Sequence, residues 1–427
     1  MNNQNASPAG VTFAEALRVW ARIGLLSFGG PAGQIALMHR IIVDERKWLS
    51  EREYLSALNF CMLLPGPEAM QLATYSGWKL HGTRGGLAAG LLFVIPGAMV
   101  VLALTMLYAR FGKLPLVEAI FYGIKAAVLA IVLEALLRVA RRALRTRADW
   151  LIAALAFLAL YCFGVPFPAV IIAAGVYGFW RSSGVAEVSA ERLPSWRELG
   201  GVIAIWGAVW LLPLAGLVAV LGPHHVLSEV GLFFSKLAVV TFGGAYAVLS
   251  YMAQAAVETK GWLTAREMID GLGLAETTPG PLILVTQFVG YFAGYRELGS
   301  LWGGVAAALV TLWMTFAPCF LFIFAGAPYI DAIGRRPRLS GALAAITAAV
   351  VGVILNLSLW FGLHVLFGHV ERRPGWFGPW VPDWAHLDWF SLGLSLLAAL
   401  ALLRFHFGIV WTLALCAALG AAWELLF

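Results

Sequence analysis

Long apolar runs separated by short polar loops set the pattern of this chain. Residues 85–109, 150–180, 199–221 and 298–330 contain no charged side chain, and each reaches the roughly 20 residues a helix needs to cross a bilayer. Residues 13–43, 114–137, 230–257 and 339–370 are apolar with a few polar positions, and 389–403 and 407–423 complete the series. Gly164, Pro166 and Pro168 interrupt the run at 150–180, which predicts two short helices and a tight turn. The pattern predicts an all-α, polytopic integral membrane protein of about ten to thirteen membrane segments.

Composition agrees: 61% of residues are hydrophobic and 12% charged, with 46 Gly, too few charges to cover a soluble surface. The net charge of +6 does not indicate nucleic acid, because the basic residues sit in short loops such as RVARRALRTR at 138–147. Such loops set orientation and are expected on the cytoplasmic side. The opening MNNQNASPAG lacks the basic-then-apolar order of a cleavable signal, so the first span is expected to stay as an anchor. The four cysteines lie far apart in apolar surroundings and the eight histidines show no ligand spacing, which predicts packing residues and neither metal nor cofactor.

Sliding the chain on itself by 214 residues aligns Phe28-Gly29-Gly30 with Phe242-Gly243-Gly244 and Pro65-Gly66-Pro67 with Pro279-Gly280-Pro281. Glu15 then meets Glu229, Arg22 meets Lys236, and Trp48-Leu49 meets Trp262-Leu263. Farther on the offset drifts to 222, matching Pro96 with Pro318. An ordered series of this kind predicts two homologous halves: a first membrane domain at 1–147, a connector with its own membrane segments at 148–221, and a second domain at 222–427.

Doubled halves with interrupted helices are the architecture of secondary transporters. FGG and PGP would break a span, as broken or re-entrant helices, and leave fresh helix N-termini near Pro31, Pro67, Ala245 and Pro281. Such termini suit an anion. Arg22 and Lys236, six residues before each Phe, are candidate anion contacts, with snorkelling to the interface as the alternative. Glu15 and Glu229 stand about 10 Å along the helix from those bases, too far to bridge. Glu118 and Lys125 share a face at seven-residue spacing and read either as a coupling or gating pair or as a buried structural pair. Glu68 and Glu276, next to the PGP motifs, read as proton carriers or N-terminal caps.

The motifs SFGGP, LPGPEAMQLATYSGWKLHG, TFGGAYAVL and AETTPGPLILVTQFVGY resemble the chromate ion transporter (CHR) family, of the long-chain type with two domains. The resemblance implies an inner (plasma) membrane exporter that moves chromate out of the cytoplasm and confers chromate resistance, with sulfate as a similar oxyanion. Its motif positions fall on Phe28, Gly29, Gly30, Pro65, Gly66, Pro67, Phe242, Gly243, Gly244, Pro279, Gly280 and Pro281. Expected partners are chromate, sulfate, the bilayer and a second copy of the chain. A proton antiporter, an oxyanion channel and an integral-membrane enzyme are the alternatives, although no Ser-His-Asp order, HExxH or phosphate loop stands out.

Overall fold

The computed structural model describes residues 10–28, 30–182, 195–240, 242, 245–330, 337–373 and 378–426. Gly29, Gly243 and Gly244 therefore lie outside the described residues. Sixteen α-helices are described: α1 Phe13–Leu26, α2 Gly30–His39, α3 Glu51–Leu63, α4 Glu68–Phe111, α5 Pro115–Ala143, α6 Arg147–Tyr161, α7 Phe167–Arg181 and α8 Trp196–Leu221. The rest are α9 Val226–Val240, α10 Ala245–Gln254, α11 Ala265–Thr277, α12 Val285–Glu297, α13 Leu301–Gly326, α14 Pro337–Leu366, α15 Trp389–Leu403 and α16 Ile409–Leu426. A two-stranded antiparallel ribbon pairs β1 Val370–Arg372 with β2 Trp380–Pro382.

Among the described residues, five stretches are long and apolar enough to cross a membrane: α4, α5, α8, α14 and Leu301–Tyr329, which continues α13. The protein is thus all-α and multi-pass. Residues 13–43 and 230–257 are not continuous spans: α1 ends at Leu26 and α2 begins at Gly30, and α9 ends at Val240 and α10 begins at Ala245, as the Phe-Gly-Gly motifs lead one to expect. α1, at 14 residues, and α2, at 10, are about 21 and 15 Å long against a hydrocarbon core of about 30 Å. The run at 150–180 splits as its Gly and Pro predict, into α6 and α7 around Gly164 at φ +61°.

Two compact units form. The first takes α1 to α3, most of α4, α8, α9, α12 and α13; the second takes the last turns of α4, α5 to α7, α10, α11 and α14 to α16. Each unit draws on both halves of the chain. Within the second, α5 and α16 cross so closely that a side chain on Gly123 would run into the Cys416 carbonyl. Small residues permit such backbone contact between membrane helices. All four cysteines are free and buried.

Local geometry recurs at the 214-residue offset. Phe28 N–H reaches Leu26 O at 2.9 Å and Phe242 N–H reaches Val240 O at 3.0 Å. α2 and α10 each end in a π turn, where Arg46 N–H bonds Ile41 O and Lys260 N–H bonds Ala255 O. Ser50 with Glu53, and Thr264 with Glu267, then bond reciprocally, each Ser or Thr hydroxyl accepting the Glu N–H while the carboxylate accepts the Ser or Thr N–H. That exchange sets the starts of α3 and α11.

Candidate functional site

Both PGP motifs, with Phe28, Gly30 and Phe242, belong to the first unit. α1 ends at Leu26, and the Ser27 hydroxyl donates back to Ile23 O at 2.6 Å. The chain restarts as α2 at Gly30, whose φ of +69° a residue with a side chain adopts only at a cost. In Pro279-Gly280-Pro281 the prolines have no N–H, so Gly280 carries the tripeptide's one backbone donor. It gives that hydrogen to Ser27 O at 2.8 Å. Gly280 O in turn accepts from Gln34 Nε2 of α2 at 2.6 Å. The first FGG interruption and the second PGP interruption are thereby joined by two hydrogen bonds in a buried setting, with Ser27 and Gln34 at most 1% exposed. Gly97 of α4 completes the junction: a side chain there would strike the Pro279 carbonyl.

The first PGP has its own buried amide. Gln71 Nε2 donates to Pro65 O at 2.7 Å, and Gly66, at φ +121°, lies against Gln71 and Cys319. Among the described residues, Oε1 of Gln34 and of Gln71 is buried without a hydrogen-bond partner, leaving an acceptor beside each tripeptide. Helix restarts follow both motifs, at Glu68 for α4 and, after the 3₁₀ turn Leu282–Leu284, at Val285 for α12. Glu68 is the first residue of α4, where a negative charge suits the helix dipole.

Arg22 and Lys236 face outward. Arg22 shares its face with exposed Leu25, and Lys236 lies between exposed Leu232 and Val239, the setting of a base that snorkels along an apolar surface. Glu15 pairs with Arg46 at 2.7 Å, and Glu229 is half-buried on α9.

The second unit rearranges the expected pairs. Lys125 does not pair with Glu118 along α5. Its ammonium lies 3.3 Å from Asp270 of α11, and Glu118 lies 3.9 Å from Arg266 of the same helix. Seven-residue spacing kept the two α5 side chains too far apart, and α11 supplies nearer partners. Glu276 is not an N-terminal cap, since it lies in the last turn of α11 and accepts the Tyr246 hydroxyl at 2.7 Å. Sequence reasoning passed over Ser27, Gln34, Gln71, Tyr108, Tyr246 and Asp270. The available signal was a polar side chain inside an apolar stretch, as in EMIDGLGLA around Asp270.

A family model described as chromate transporter matches residues 14–179 and 228–421. The chain belongs to the chromate transporter family. It is 32% identical over 360 residues to the chromate transport protein of Pseudomonas aeruginosa, covering 82% of this chain and 81% of that one. It is 30% identical over 349 residues to the chromate transport protein of Cupriavidus metallidurans, covering 80% and 81%. A probable chromate transport protein of Synechococcus elongatus is 30% identical over 335 residues, covering 78% and 80%. No solved structure matches the chain.

Proposed function

We propose that this protein is a secondary carrier of the inner membrane that exports chromate from the cytoplasm and so confers chromate resistance. Family membership supports the substrate class. The observation that carries the transport reading is the junction at Gly280, where two interrupted helices meet through Ser27 and Gln34. Interrupted helices that meet in a membrane are how carriers build a substrate site between repeats. Residues 1–147 and 222–427 enter the proposal as the two homologous domains, supported by the recurrent local geometry and by two family matches that start at 14 and 228. Export of a dianion from a negative interior is favourable by about 4.6 kcal/mol per 100 mV, so the potential alone suffices as a driving force.

Radiolabelled chromate uptake into everted membrane vesicles tests the reading. Saturable uptake competed by sulfate is expected, and absence of uptake at normal protein levels refutes it. The same assay on Arg22→Gln and Lys236→Gln decides their part: loss of uptake assigns them to the anion, and full uptake leaves them as snorkelling bases. Pairing of two copies belongs to the proposal and is checked by crosslinking in the same membranes.

A further inference from the structure

The second unit holds a row of charge that the junction does not use. Lys125 lies in the middle of α5, with its side chain 10% exposed, and Asp270 on α11 is 3% exposed. α11 comes close because Gly273, one turn beyond Asp270, has no side chain to hold off Ile124. The Tyr108 hydroxyl donates to Asp270 Oδ2 at 2.6 Å, and its ring packs edge-on against Phe121 of α5. The Lys125 ammonium approaches Asp270 Oδ1, at 3.3 Å, and among the described residues that oxygen has no other polar partner. Arg266 lies one helical turn before Asp270 on the same face of α11, and its counter-ion is Glu118 at 3.9 Å.

Each of two cations, Lys125 on α5 and Arg266 on α11, is thus faced by one carboxylate of the other helix. A buried pair that serves stability alone needs excellent geometry and its remaining donors and acceptors filled. This pair has neither. Its 3.3 Å separation exceeds the roughly 2.7–2.9 Å of a charge-assisted hydrogen bond, and an ammonium has three donors to place. Among the described residues Lys125 has no further hydrogen-bond partner. Arg266 and Glu118 are about half exposed, so the row runs from an accessible end to a buried one.

We infer that Lys125 and Arg266 form a binding site for a tetrahedral oxyanion dianion, which Asp270 and Glu118 occupy as internal counter-anions until substrate displaces them. The charge count fits: two monovalent carboxylates stand where one dianion would neutralise the same two cations. Tyr108 holds Asp270 through Oδ2 and offers a resting position for the displaced carboxylate. The inference rests on the oxyanion-carrier reading and adds a site to it.

Radiolabelled sulfate binding to the purified full-length protein in lipid nanodiscs tests the inference, with chromate uptake measured on the same variants. Removing an internal competitor raises the fraction of competent sites, so Asp270→Asn should bind sulfate about tenfold more tightly than the wild type. A structural pair predicts the reverse, weaker binding by a damaged protein. The double variant Lys125→Met with Asp270→Asn removes both charges, a change buried pairs tolerate. It should fold and melt like the wild type yet lose at least tenfold in sulfate affinity. A folded double variant that binds sulfate normally overturns the inference, as does Asp270→Asn that folds and binds no tighter. Wild-type protein that takes up no chromate but binds sulfate through Lys125 sinks the chromate-export reading and leaves this site standing.

Discussion

Replacing Gln34 by Leu tests whether the junction holds the first unit together. Gln34 Nε2 is the side-chain donor to Gly280 O at 2.6 Å, and it lies 3.4 Å from Ser27 O. Leucine keeps much of the volume and removes the donor, leaving the Gly280 carbonyl buried without that partner. A lost partner of this kind costs about 1–3 kcal/mol, while side-chain hydrogen bonds measured inside membranes average about 0.6 kcal/mol. The unpartnered Oε1 of Gln34 disappears in the same step and offsets part of the loss. A net destabilisation of about 1 kcal/mol follows. Gln34→Glu should be worse, at about 3 kcal/mol or more, because a carboxylate would face two carbonyl oxygens in a buried site. Thermal unfolding of the detergent-purified protein, followed by tryptophan fluorescence, should give a midpoint a few degrees lower for Leu and lower again for Glu. Midpoints equal to the wild type in both variants would refute the reasoning.

Gly97→Val should remove folded protein from the membrane, since its side chain would meet the Pro279 carbonyl and overpacking against backbone costs about 1–3 kcal/mol or more; immunoblotting of membranes against soluble aggregates checks it. Ser50→Ala should destabilise the start of α3 by about 1 kcal/mol, read as faster amide exchange in residues 51–54. Glu15→Gln, at a partly exposed pair with Arg46, should change the unfolding midpoint by no more than about 1 kcal/mol allows. At the start of α6, burial pushes the Asp149 carboxyl up but is outweighed by hydrogen bonds from the Thr146 hydroxyl and the Thr146 and Arg145 N–H groups, which hold it below the ordinary carboxylate range. A lowered folded value means the contribution is present above the unfolded value near 4 and is lost on acidification. Exchange at residues 147–150, corrected for its intrinsic rate, should therefore rise below about pH 4 in the wild type and be insensitive to pH in Asp149→Asn.

The helical, membrane-spanning character was legible because it depends on local quantities. An uncharged run such as 85–109 has one stable form in a bilayer, and Gly30, Gly66 and Gly280 mark breaks through conformations that only their own backbone determines. The start of α3 is set just as locally, by Ser50 and Glu53 bonding each other three residues apart, although the sequence reading did not use that signal. Apolarity alone reads 13–43 and 230–257 as unbroken, and the Phe-Gly-Gly motifs are what marked the restarts at Gly30 and Ala245. Hydropathy counts residues and does not register that α1 and α2 are separate short helices.

Partners were not legible, for a physical reason that the two units share. A buried polar group needs a complement, but the energy of the pair depends on distance in space and not on spacing in sequence. Lys125 is matched to Glu118 by helical periodicity and to Asp270 by packing, and packing wins because a glycine at 273 lets α11 approach α5. Gln34 shows the same logic: nothing within α2 identifies Gly280, 246 residues away, as its acceptor. Prolines on either side leave Gly280 as the one backbone donor of its tripeptide, and a buried donor must be satisfied, so Ser27 O meets a requirement that the motif itself creates. The PGP motif therefore specifies that a partner must come, and the tertiary fold specifies which.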